Sequence, residues 1–276
     1  MTPDSIADTT KACCAELYAG DWARLLLGDT LHPGGLVLTE RLGVLLGVHA
    51  ESRVLDLAAG RGASALHLAR VFGCHVVGVD YSDRSVSVAR EAAATEGVSD
   101  RISFSVGDAE MLNAFDDNTF DAVVCECAYC TFPNKAAAAR EIARVLRPAG
   151  RFGLSDLTRS GPLPVELQGQ LPWVACIADA SPVQHYMDDC ERAGLRVEYV
   201  EAHDEALAEL VRQIRGRLVG AELLAKLQRL ELPGAFAGFD QAKALARAAA
   251  ESIESGTLGY SLIVAAKPGL QQADRR

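Results

Sequence analysis

Between residues 53 and 156 the chain alternates short, continuous apolar runs with helix-length segments, and this alternation restricts the fold more than any other feature. RVLDLA (53–58), HVVGVD (75–80), ISFSVGD (102–108), FDAVVCE (120–126) and RFGLSD (151–156) read as strands. Between them, ASALHLARVF (63–72), RSVSVAREAAATEG (84–97) and NKAAAAREIARVLRPAG (134–150) carry helical periodicity. Asn134 is a cap for the last helix, and Pro148-Ala149-Gly150 is its stop. A strand that is apolar along its whole length is covered on both faces, which points to a parallel sheet between helices. Right-handed crossovers make that sheet doubly wound, so the expected class is α/β.

Two regions lie outside this alternation. Residues 4–48 read as helices and end in the amphipathic LVLTERLGVLLGV, opened by HPGG. Residues 205–254 also read as helices, bracketed by the strand candidates LRVEYVEA (195–202) and LGYSLIVAAK (258–267). The expected organisation is an N-terminal helical cover (1–48), a core (49–203 and 257–268), a helical insert (204–256) and a frayed tail (269–276). The sixth strand runs parallel to the others, so the insert begins and ends on the rim where parallel strands present their carboxyl ends. It is read as a roof over a substrate pocket, together with residues 4–34, or alternatively as a homodimerisation element.

Composition narrows the partners. A net charge of −10, with no long Lys/Arg run, makes nucleic acid and anionic membrane poor partners. The start, MTPDSIADTTKACC, has no basic segment leading into an apolar one, and no window holds a membrane-length apolar run. A cytoplasmic protein acting on small molecules is expected.

VLDLAAGRG (54–62) carries the chemistry. Asp56 near the end of the first strand is followed by Gly60-x-Gly62 and then a helix. Glycines permit a tight bend and a close ligand approach, and the helix start offers unpaired N–H groups. Ligands of open α/β sheets bind at the carboxyl ends of strands. Asp80, Asp108 and Glu126 stand at the ends of the second, third and fourth strands, so four strand ends carry an acid in register. Asp80 can accept both hydroxyls of a ribose, and Asp108 can meet an adenine amino group. A dinucleotide is disfavoured: the third glycine of its fingerprint is replaced by Ala65, and Asp56 ahead of the bend would repel a pyrophosphate. A carboxylate there suits an α-ammonium group, hence a cationic amino-acid nucleoside.

VLDLAAGRGASALHLA, GCHVVGVDYSDRSVSVAR, GDAEML, FDAVVCECA and EIARVLRPAGRFGLSD together resemble the class I S-adenosylmethionine-dependent methyltransferases over roughly residues 35–202. The resemblance implies a mostly parallel, Rossmann-like sheet of seven strands with the last one reversed, a role that LGYSLIVAAK fits. It implies S-adenosylmethionine as cofactor and S-adenosylhomocysteine as product. Asp56, Gly60 and Gly62 would surround the methionine part, Asp80 would hold the ribose, and Asp108, Ala109 and Glu110 would lie beside adenine. Ala58, Tyr81 and Glu126 complete the expected cofactor set. The helical insert departs from the family's usual hairpin.

The eight cysteines are Cys13, Cys14, Cys74, Cys125, Cys127, Cys130, Cys176 and Cys190. Cys127 and Cys130 have neither a second CxxC pair nor a matched histidine pair, so no zinc-type metal site is expected. Strand alternation puts Cys125 and Cys127 on one face and Glu126 on the other, and Cys127 lies just past the end of the fourth strand, beside the expected sulfonium. Their placement resembles that in arsenite methyltransferases, which carry a cysteine after the fourth strand, another after the fifth and others upstream. Cys127, Cys176 and Cys14 match those positions and would hold a trivalent metalloid acceptor through thiolates, the ligands a soft metalloid prefers. The match departs before the first strand, where LLLGDTLHPGGLVLTERL contains no cysteine. The alternative is O-, N- or C-methylation of a small organic acceptor, with His32 in LHPGG as the base for a hydroxyl, and Tyr129 and Trp173 either packing in the core or shaping an apolar pocket. A non-catalytic cofactor-binding or thiol-redox protein is the third reading.

Overall fold

The structure, a computed structural model, describes residues 11, 12, 15, 16, 18–168, 176–227 and 238–269. Helix α1 (Asp21–Leu27) and helix α2 (Gly35–Leu46) precede the sheet. Then follow β1 (Arg53–Leu57), α3 (Ala63–Phe72), β2 (His75–Asp80), α4 (Asp83–Thr95), β3 (Ile102–Val106) and β4 (Phe120–Glu126). Helix α5 (Lys135–Val145), β5 (Leu146–Arg159), α6 (Val183–Arg192) and β6 (Arg196–Ala202) come next, and α7 (Asp204–Lys226), α8 (Phe239–Glu254) and β7 (Leu258–Ala266) complete the order.

The seven strands form one sheet in the order β3-β2-β1-β4-β5-β7-β6. All pair in parallel except β7, which runs antiparallel to both neighbours. This is the doubly wound, Rossmann-like sheet expected from the sequence. Consecutive residues of β1 (Val54, Leu55, Asp56, Leu57) and of β4 (Ala122 to Cys125) are buried. Neighbouring residues point to opposite faces, so both faces of the sheet are covered. Two helix starts match their sequence signals. Ser82 accepts the Ser85 amide at the head of α4, and Asn134 accepts the Ala137 amide at the head of α5.

Two boundaries differ from the sequence reading. The helix expected over 134–150 ends at Val145, and β5 begins at once at Leu146. Pro148 cannot continue a helix and favours extended backbone in Arg147 before it; Ala149 then takes a left-handed φ of 65°. The third strand stops at Val106, and Asp108 makes an isolated bridge to Met111 instead.

The last two strands are joined by α7 and α8, which pack on each other and on β7. Helix α7 also packs on α1, and Arg217 Nη1 donates to the Leu26 carbonyl at 2.8 Å. No helix among the described residues is long and apolar enough to cross a membrane.

Candidate active site

Register places the acids. Leu57 stands opposite Val79 on one side and Cys125 on the other. Asp80 and Glu126 are therefore each one residue further along, flanking the bend that follows β1. In that bend Ala58, Gly60 and Gly62 all have left-handed φ, at 55°, 54° and 85°. A Cβ on Gly62 would come within 2.7 Å of the Phe104 ring. One on Gly60 would meet no protein atom within 4 Å, because that side opens into a cavity.

The cavity is walled by Asp56, Ala58, Gly60, Asp80, Tyr81, Asp108, Ala109 and Glu126 from the strand ends, and by Lys11, Tyr18 and the 29–32 loop from the N-terminal region. Eight of the ten expected cofactor residues thus share one space. Gly62 lies behind the bend against Phe104. Glu110 is turned aside: its carboxylate accepts from Lys11 Nζ at 2.6 Å and from the Asn134 amide at 2.7 Å.

The electrostatics suit a cation. Asp56 is 2% exposed, and its Oδ2 has no hydrogen-bond partner. Burial, then the negative charges of Glu126 and Asp80, raise its pKa well above the ordinary carboxylate range. A ligand ammonium would relieve both causes. Burial also raises Asp80, partly offset by the Ser82 and Gly60 amides that its carboxylate accepts, each at 2.8 Å. Each Asp80 oxygen retains a lone pair for a hydroxyl donor. Asp108 accepts from Lys11 Nζ at 2.7 Å and from the Glu110 amide at 2.9 Å. Burial lowers the Lys11 pKa, but its bonds to Asp108 and Glu110 outweigh that and raise it.

His32 and Glu126 form a second cluster on the wall. Glu126 Oε2 accepts Ser64 Oγ at 2.6 Å and Thr39 Oγ1 at 2.9 Å, and lies 3.7 Å from His32 Nε2. His32 Nδ1 is 3.2 Å from the Pro33 carbonyl. His32 Nε2 also lies 3.5 Å from Ser64 Oγ. Sequence reasoning missed Thr39, Ser64 and Lys11, since no spacing marks a single hydroxyl or lysine reaching a partner this remote in the chain.

Cys127 lines the cavity beside Glu126, as its position just past the end of the fourth strand leads one to expect. Strand β4 ends at Glu126, and Cys127 takes a left-handed φ of 54°, so alternation stops there. Cys176 is buried behind it, hydrogen-bonded to Cys127, Cys130 and, at 3.2 Å, the Tyr18 hydroxyl. Hydrogen bonds from Cys127 and Cys130 push the Cys176 thiol well below its usual pKa. The bond to Cys176 and burial push Cys127 up, and burial and the same bond do so for Cys130. Of these three, only Cys127 reaches the cavity. Cys14 and Trp173 lie outside the described residues. Tyr129 is a core residue, 1% exposed, packed on Phe132, Phe152 and Tyr186, and its hydroxyl donates to the Lys135 carbonyl. Among the described residues no group of three or more His, Cys, Asp or Glu is placed to hold a metal ion.

Residues 48–212 match the family described as Methyltransferase domain. The chain is 33% identical to methyltransferase GfsG of Streptomyces halstedii over 65% of each chain. It is 30% identical to 27-O-demethylrifamycin SV methyltransferase of Amycolatopsis mediterranei, over 96% of this chain and 95% of that one. Its fold is similar to that of a phosphoethanolamine N-methyltransferase of Haemonchus contortus solved with S-adenosylhomocysteine, with a TM-score of 0.75 and 20% identity over 95% of this chain and 59% of that one. An unpartnered buried acid, a glycine bend open to the cavity and the matched family agree: the chain belongs to the class I S-adenosylmethionine-dependent methyltransferases.

Proposed function

We propose that the protein methylates a hydroxyl oxygen of a small organic molecule, with His32 as the general base. The observation that carries this reading is the buried pair His32 and Glu126 on the cavity wall. When bound, S-adenosylmethionine supplies a methyl carbon activated by a positive sulfur. With the cofactor in place, His32 Nε2 would take the proton of the acceptor hydroxyl as it is methylated, and the Glu126 carboxylate would stabilise the resulting imidazolium. Ser64 and Thr39 keep Glu126 in place. The similarity to a relative named for an O-demethylated substrate, over nearly the whole chain, supports an oxygen acceptor. Asp56, Asp80 and Asp108 are assigned to the ammonium, ribose and adenine of the cofactor. The N-terminal region, with α7 behind α1, serves as the pocket cover. The test is methyl transfer to a panel of phenols and secondary alcohols by wild type and His32→Gln. Transfer to oxygen that collapses in the variant supports the reading, and undiminished transfer refutes it.

A second reading rests on Cys127 at the cavity wall with Cys176 hydrogen-bonded to it, two of the thiols that the sequence resemblance singles out. Thiolates at these positions would take trivalent arsenic as the acceptor, with the metalloid as substrate. Methylated arsenic formed by wild type and lost in Cys127→Ser and Cys176→Ser would favour it.

A further inference from the structure

Among the described residues none of the helical insert, α7 and α8, lines the cavity, yet one side chain of α7 reaches the segment that does. Arg217 Nη1 donates to the Leu26 carbonyl at 2.8 Å, in the last turn of α1, where carbonyls lack partners within the helix. Its Nη2 donates to Gln213 Oε1 at 3.4 Å. The guanidinium also lies against Gly28: a Cβ there would sit 3.3 Å from Nη1 and 3.4 Å from Nη2, on backbone with a left-handed φ of 94°. Glycine permits both the conformation and the close approach. Residues 29–32 come next in the chain, and all of them line the cavity. Within them Leu31 has a left-handed φ of 58°, which a bulky residue keeps only where its surroundings impose it. On its C-terminal side His32 is anchored by α2, which packs on α3 and the sheet. On its N-terminal side the anchor is α1. At the head of α1, Asp21 is 80% exposed and lies 3.7 Å from Arg61 and 3.6 Å from Arg84, and exposed pairs of that length hold little. Arg217 is half-buried and stands on a helix packed against α8 and β7, so it is the firmer mount.

We propose that Arg217 is a positioning residue: by clamping the end of α1 it sets the loop that presents His32 to the cavity, so the insert takes part in methyl transfer without lining the site. The guanidinium suits this task because its planar fork engages two acceptors at once in a fixed geometry. The catalytic half of the inference rests on the reading of His32 as the base, and the placement of the His32 ring does not.

Two measurements on the full chain test it. In NMR spectra of the histidine rings, the His32 signals are those missing from His32→Gln. Arg217→Ala should shift or broaden them and leave the other histidines in place. Unmoved His32 signals, or equal changes at every histidine, would overturn the proposal. In methyl transfer to the phenols and secondary alcohols, Arg217→Ala should lower kcat by about tenfold or more, the scale of a misplaced catalytic group. Its affinity for S-adenosylhomocysteine should stay within about threefold. Added to His32→Gln, the same substitution should cost nothing further, since the two act as one unit. Losses that multiply mark a general structural role and would overturn the proposal. Undiminished transfer by His32→Gln sinks the reading of His32 as base, whereas unmoved ring signals sink the positioning role alone. Arg217→Lys, which keeps the stem and one donor group, repeats both measurements if the alanine variant does not fold, with smaller changes of the same kind expected.

Discussion

His32 Nε2 lies 3.7 Å from Glu126 Oε2, and each side chain is only 4% exposed. One comes from the loop before α2 and the other from the last position of β4, so the fold brings them together across 94 residues of chain. Glu126 is fixed by two hydroxyls, while His32 Nδ1 lies 3.2 Å from the Pro33 carbonyl and Nε2 3.5 Å from Ser64 Oγ.

If that nitrogen removes the acceptor proton, His32→Gln should lower kcat by about 100- to 10,000-fold, the usual contribution of general-base catalysis. Affinity for S-adenosylhomocysteine should stay within about threefold, because the lost group acts on the acceptor. Initial rates and calorimetry on the same preparation measure both. A parallel loss of cofactor affinity would reassign His32 to the cofactor wall.

The two glycines of the bend should fail in different ways. Gly62→Ala forces a Cβ to within 2.7 Å of Phe104 at a φ of 85°, and should cost roughly 1–3 kcal/mol of stability, visible as a lower Tm. Gly60→Ala meets no protein atom, so its stability loss should be about 1 kcal/mol while cofactor binding suffers most. Thermal melts paired with binding titrations separate the two, and the reverse ranking would contradict the assignment of the open side to the ligand.

Asp56 gives cofactor binding a pH sign. Its raised pKa means the free protein holds a proton there beyond the ordinary carboxylate range, and a ligand ammonium favours the charged form. Binding of S-adenosylhomocysteine should therefore release protons and tighten as pH rises. Calorimetry in two buffers of different ionisation enthalpy reads the sign, and Asp56→Asn should abolish the release. Proton uptake would be incompatible with an ammonium beside Asp56.

How much of this was legible beforehand follows from the kind of signal involved. Buried parallel strands leave continuous apolar runs, so the strand–helix alternation and the acids Asp56, Asp80 and Glu126 could be placed from the sequence. The reversed β7 followed from the family resemblance. The Lys11 bridge to Asp108 spans 97 residues and the Ser64 bond to Glu126 spans 62, and no local pattern encodes them. Cys127 could be placed at the cavity from its position just past β4, whereas its left-handed φ has no sequence signal. Arg61 was legible only as the x of Gly-x-Gly until burial showed its nitrogen without a partner.

Asp156 should shape stability against pH. Burial first, then the nearby Cys176, raises its pKa from 3.8 to about 7, although the Cys130 and Leu157 amides both donate to it. A folded-state value above the unfolded one contributes stability that is complete below about pH 4 and is lost as pH rises through about 7. The Tm of wild type should thus decline between those limits more steeply than that of Asp156→Asn. Matching slopes would place the titration elsewhere.

Cys176→Ser separates the two acceptor readings. Cys176 is buried and does not reach the cavity, so methylation of a hydroxyl should change by less than about threefold. Loss of turnover with cofactor binding intact would instead favour thiolate capture of a metalloid.

The account rests on the cavity at the ends of β1, β2 and β4 being the cofactor site, and Asp80 is its most direct probe. Calorimetric titration of wild type and Asp80→Ala with S-adenosylhomocysteine, and of wild type with NAD, should show saturable binding of the adenosyl ligand by wild type, a loss of about tenfold or more in the variant and no heat from NAD. Equal binding by the two proteins, or saturable binding of NAD in place of S-adenosylhomocysteine, would contradict it.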